Sequence, residues 1–150
     1  AMMILSHLTE TTNDVMVGSV LSNALAGAQK LLKKKSLIFV LSDFRTTGWE
    51  DSFARLALKN DVIALRITDP IDSELPKIGT VTFVDSESGA RKLFPTSSNS
   101  FAEKWFEDNR YRLDSWNEFC IRHGAYPLML STTEDSALVL SRFFAKRGRK

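Results

Sequence analysis

One cysteine, Cys120, stands in a chain of 150 residues. A lone thiol cannot close an internal disulfide, so nothing in the composition asks for an oxidising compartment. The sequence has no Cys-x-x-Cys, no His-Glu-x-x-His and no glycine-rich phosphate loop. The familiar signatures of zinc, redox and nucleotide chemistry are therefore missing. No apolar run approaches the ~20 residues of a membrane span. The opening residues Met2-Met3-Ile4-Leu5 lack the basic flank of a secretion signal, and a cytoplasmic location is the expectation. Charge of one sign is also scarce: 20 Lys+Arg face 18 Asp+Glu, a net +2. Nucleic-acid affinity comes largely from phosphate neutralisation, so this balance argues against a dedicated nucleic-acid binder. The basic runs at 33–35 and 146–150 read as a solvated helix end and a fraying tail.

What is present is ordinary for a globular protein: 43% hydrophobic and 25% charged residues. The length suits a single domain, residues 1–150, with a sizeable core. Val20, Leu21, Ala24, Leu25, Ala28, Leu31 and Leu32 recur at helical spacing, which predicts a helix over about 19–34 with Ser19 as its N-cap. Leu37-Ile38-Phe39-Val40-Leu41 and Val62-Ile63-Ala64-Leu65-Arg66-Ile67 read as strands buried on both faces. A short helix over 48–58 separates them. Residues 80–84 and 90–94 flank a polar turn ending in Gly89, the pattern of an antiparallel hairpin. Residues 97–100 offer caps for a long helix over 100–123, closed by Gly124. Leu128-Met129-Leu130 is a third strand. Thr132 or Thr133 caps a last helix with Leu138, Leu140, Phe143 and Phe144 inward.

Strands alternating with helices predict a three-layer α/β fold with a mainly parallel sheet and an inserted β-hairpin. Ligands of such sheets sit beyond the C-terminal strand ends, here Ser42-Asp43, Thr68-Asp69 and Ser131-Thr132. Each polar residue there has a plainer reading. Asp43 can cap the following turn, and Asp69 before Pro70 is a turn signal. His123 suits a helix C-terminus, and Cys120 on an apolar helix face suits the core. Among the aromatic residues of the long helix, Trp105, Phe106, Trp116 and Phe119 read as core. Trp105 and Trp116 are the two expected to reach the surface.

The order of these pieces resembles a known family. Ser36 through Phe44, Asp61-Val62-Ile63-Ala64, Asp69-Pro70 with Glu74-Leu75-Pro76, the turn residues Asp85, Glu87 and Gly89, and Ser131-Thr132 followed by Leu140-Ser141-Arg142-Phe143-Phe144 look like the C-terminal part of a bacterial domain-of-unknown-function family, number fifty-eight. That family carries a von Willebrand factor A-like domain. The resemblance implies a metal-ion-dependent adhesion site with oxygen ligands, of which Ser19 and Asp43 are the positions that match. Val20 replaces a carboxylate, and no Asp-x-Ser-x-Ser occurs, so the site is incomplete; Mg²⁺ is expected only if the missing first-strand motif is supplied. The chain thus reads as lacking the domain's first strand, which leaves the Leu37–Leu41 strand with an open edge and predicts self-association.

The resemblance also implies a context beside MoxR-type AAA+ ATPases. The leading expectation is a non-catalytic protein-interaction module, an adaptor in complex assembly, binding its partner through Asp43, Thr46, Thr47 and Asp69. A metal-dependent hydrolase using Asp43 and Asp69, or a degenerate structural domain, are the alternatives.

Overall fold

The computed structural model describes residues 17–84 and 89–148, with side chains from residue 20 onward. The apolar segments of the sequence become helix α1 (Val17–Leu31), strand β1 (Leu37–Ser42), helix α2 (Glu50–Lys59) and strand β2 (Asp61–Thr68). Strands β3 (Thr80–Val84) and β4 (Arg91–Pro95) follow, then helix α3 (Asn99–Arg122), strand β5 (Tyr126–Ser131) and helix α4 (Ser136–Arg147). A single 3₁₀ turn, Pro70–Asp72, closes β2. Within the described residues β1, β2 and β5 form one parallel sheet in the order β1-β2-β5, while β3 and β4 pair antiparallel as a separate hairpin.

Parallel register makes paired residues share a face. Ile38 and Val40 lie beside Val62 and Ala64. This face meets α1, α2 and α3 in one core that joins Leu25, Phe53, Leu56, Trp116 and Cys120. The opposite face carries Phe39, Ile63 and Tyr126. There α4 docks through Phe144 against Phe39 and Phe143 against Tyr126. The layers are therefore α1, α2 and α3, then the sheet, then α4, which is the expected mixed α/β architecture.

Cover is uneven. No residue of α4 is buried. Leu138 and Phe144, expected inward, are exposed, as are Leu37, Phe39 and Leu41 of β1. Among the described residues, no strand pairs with the outer side of β1. The hairpin packs its own aromatic cluster: Phe83 and Phe94 meet Phe101 and Trp105 from the first turns of α3. Cys120, farther along the same helix, is fully buried in the main core, as its apolar helix face predicts.

Several local expectations change. Ser19 falls inside α1 and not at its cap, and its side chain lies outside the described residues. Asp85 and Glu87 of the hairpin turn also lie outside them. Thr132 and Thr133 do not cap α4. Asp135 does, its Oδ1 accepting the backbone N–H of Ala137 at 2.9 Å and of Leu138 at 3.2 Å. The end of α4 is anchored through Arg147, whose guanidinium pairs with Asp61 and lies 4.3 Å over the Tyr126 ring. Trp116 is only 5% exposed, whereas Phe106 is 48% exposed, the reverse of the expectation for both.

Candidate functional site

The C-terminal end of β1 makes an abrupt turn. Phe44 sits at φ +53°, a left-handed conformation unfavourable for a bulky residue. Two side chains hold it there. Ser42 Oγ accepts the Phe44 N–H at 3.0 Å, and Asp43 Oδ1 accepts the Arg45 N–H at 3.1 Å. The turn sends the Phe44 ring into the core against Trp49 and Trp116, with centroids 5.0 and 5.5 Å away. Trp49 Nε1 then donates to the Thr46 carbonyl at 2.9 Å and pins the rest of the loop. Asp43 therefore performs the turn-capping role that its sequence position allows.

At the end of β2, Asp69 is held from two sides. Its Oδ1 accepts the Ile71 N–H at 3.0 Å, and its Oδ2 accepts the Thr132 hydroxyl at 2.9 Å. The Ile71 N–H holds the Asp69 carboxyl below the ordinary carboxylate range, with the Thr132 hydroxyl and Arg45 acting in the same direction and desolvation against them. Asp72 Oδ2 accepts the Asp69 N–H at 3.3 Å, and Asp72 also pairs with the Arg45 guanidinium.

Strand ends β1, β2 and β5 thus converge on a cleft of about 290 Å³ lined by Asp43, Arg45, Thr68, Asp69, Asp72 and Thr132. The structure brings Asp43 and Asp69 together here and adds Asp72, Arg45 and Thr132. Thr46 and Thr47 are not part of it. They line a second recess of about 330 Å³ with Trp49, Arg66, Tyr111 and Trp116. Arg45 forms a wall of both.

Mg²⁺ needs several oxygen ligands in an octahedron. Asp43 and Asp69 are each engaged by backbone N–H groups, and Asp72 is engaged by Arg45. Among the described residues, no group of three or more His, Cys, Asp or Glu side chains could hold a metal ion. The residues described do not fit an adhesion-site metal.

Sequence reading missed Arg66, which is 4% exposed. The signal was present: a single charged residue interrupts an otherwise apolar strand, on the face that the alternation assigns to the core. His123 occupies the C-cap of α3, its Nδ1 2.9 Å from the Phe119 carbonyl, in keeping with the helix-end reading.

Fold and cleft together define an α/β domain with a polar recess at the C-terminal ends of a parallel sheet. The chain belongs to the family described as Protein of unknown function DUF58, which matches residues 1–112. It is similar to an uncharacterized protein of Mycobacterium tuberculosis, Rv1480, with 29% identity over 134 residues, covering 86% of this chain and 41% of that protein. An uncharacterized protein of Mycobacterium avium is 29% identical over 75 residues, covering 49% of this chain and 44% of its own length. The chain spans less than half the length of these curated relatives. No solved structure matches. No helix among the described residues is long and apolar enough to cross a membrane.

Proposed function

We propose that this domain is a non-catalytic protein-interaction module with a von Willebrand factor A-like arrangement, working as an adaptor for a MoxR-type AAA+ ATPase in complex assembly. The observation that carries this reading is the cleft at the C-terminal strand ends, where Asp43, Asp69 and Asp72 meet Arg45 and Thr132. Its polar groups are fixed by hydrogen bonds to the backbone and to one another. Such a surface is preorganised to receive a partner's polar groups and loses little conformational freedom when it does. The von Willebrand likeness is supported by the parallel strand order β1-β2-β5 among the described residues, with Asp43 just past the C-terminal end of β1.

The test is binding of the full chain to a purified MoxR-type ATPase by calorimetry. Asp43→Ala and Asp69→Ala are expected to weaken binding by about tenfold or more, an effect of a few hydrogen bonds. Partner binding unchanged in both variants would refute the module. In the same instrument, heat on titration with Mg²⁺ or Mn²⁺ alone would favour the metal-dependent hydrolase instead.

One feature favours a second, structural role. Among the described residues the outer side of β1 is unpaired, with Leu37, Phe39 and Leu41 exposed, and such an edge is a template for another strand. Self-association through this edge is compatible with adaptor function, because the acidic cleft lies at the strand end.

A further inference from the structure

Across Arg45 from the acidic cleft lies the recess of about 330 Å³, and its chemistry is different. Its walls are aromatic: Phe44, Trp49, Trp116 and Phe119. Its charged floor is Arg66, carried by the central strand β2 and 4% exposed. A buried guanidinium normally has a carboxylate or several carbonyls around its five N–H donors. Arg66 has neither. Among the described residues, its hydrogen bond is one long contact, Nη1 to the Arg112 carbonyl at 3.4 Å, and its Cζ lies 5.5 Å from the Trp116 ring centroid. No carboxylate forms an ion pair with it among the described residues.

The same wall holds a second donor, Trp116 Nε1, which is buried and has no hydrogen-bond partner among the described residues. A guanidinium with one long hydrogen bond, from β2, and an indole N–H with none among the described residues, from α3, thus border one recess. Burial draws the Arg66 guanidinium below its ordinary range; Arg45 and Arg112 act in the same direction, opposed by Asp43 and Asp72. Arg45 is already engaged by Asp72, which leaves Arg66, with Arg112 also lining the recess, to meet a ligand's charge.

We infer that this recess is a binding site for a carboxylate carried on an aromatic or similarly flat apolar group, with Arg66 as the ion partner. A guanidinium matches a carboxylate in a planar, bidentate fork. A recess of this size buries the apolar body of a small ligand against its rings, while polar lining residues such as Arg66, Tyr111 and Ser115 orient it. Phosphate fits less well, because it carries no flat apolar body for the rings of the recess to bury. The carboxylate comes either from a free small molecule or from the C-terminus of a peptide ending in an aromatic residue. The site is separate from the cleft of Asp43 and Asp69, and its occupancy does not require the adaptor reading.

The experiment follows the indole N–H resonances of the three tryptophans in the ¹⁵N-labelled full chain. Titrants are phenylacetate, the peptide Gly-Gly-Phe, its C-terminal amide, and inorganic phosphate. Saturable shifts of Trp116 and Trp49 are expected, with Trp105 unmoved because it packs against the hairpin. Phenylacetate alone binding identifies a small-molecule site. Tighter binding of Gly-Gly-Phe than of its amide identifies a chain terminus. Arg66→Lys keeps the charge but loses the fork, and affinity should fall by about tenfold. Should that variant lose its folded spectrum, Glu50→Gln decides, since it removes a negative charge from the lining. It is expected to tighten binding by about threefold. No saturable shift with either carboxylate, binding of phosphate alone, or affinity unchanged in the deciding variant would overturn the inference.

Discussion

Phe44 shows how one residue links strain to shape. Its left-handed backbone costs about 1 to 3 kcal/mol, and its ring recovers this by packing among Trp49, Phe53 and Trp116. Phe44→Ala keeps the unfavourable backbone and loses the packing, so a loss of about 3 kcal/mol is expected in urea unfolding. Cys120 makes a different prediction. Burial pushes its thiol from an ordinary 9.0 up to about 12, with Arg66 opposing. The folded state then holds the proton more tightly than the unfolded chain. Stability from this group is complete below about pH 9 and is lost as pH rises toward 12. Cys120→Ala should flatten that part of the alkaline limb, read from urea midpoints between pH 8 and about 10.5. The core role of Cys120 was legible because it lies on an apolar helix stripe. The conformation of Phe44 was not, because nothing in Ser42-Asp43-Phe44-Arg45 announces a positive φ at a phenylalanine.

Helix α3 was the most legible element, since its caps and its apolar spacing agree. Ser98 Oγ accepts the Phe101 N–H, and Gly124 takes φ +74° just past the C-cap at His123. Ser98→Ala should cost about 1 kcal/mol, measured as a lowered thermal midpoint. Which aromatic residues of α3 become core was less legible. Trp105 and Trp116 are both called for by the apolar pattern, but they serve different neighbours, the hairpin for one and the sheet for the other. A periodicity reports a face and not the element that will cover it. The cap of α4 failed for a related reason. Thr132, Thr133 and Asp135 are all competent caps, and Thr132 is instead drawn to Asp69, a contact 63 positions apart in the chain.

At the scale of the whole molecule, the parallel sheet and hairpin were readable because apolar runs, turn residues and helical periods agreed. The candidate site was readable only in part. Asp43 and Asp69 were found from the rule that ligands gather at C-terminal strand ends. Arg66 with Trp116 required the docking of α3 onto β2, a tertiary event. The side of β1 left unpaired among the described residues yields a direct prediction: the full chain should sediment with a mass that rises with concentration. Leu41→Lys, at a position already 60% exposed, should abolish that rise without unfolding the protein, since an edge lysine opposes strand addition. A mass unchanged by concentration in the parent chain would remove edge pairing. Helix α3 has a further consequence. Its 24 residues extend about 36 Å and belong to two aromatic clusters, the hairpin's at one end and the sheet's at the other. The hairpin is held by fewer buried groups than the sheet, so it can peel away with the first turns of α3 while the last turns stay closed. Amide hydrogen exchange should therefore slow abruptly along one unbroken helix, between Asn109 and Trp116, marking the border between two units that open independently.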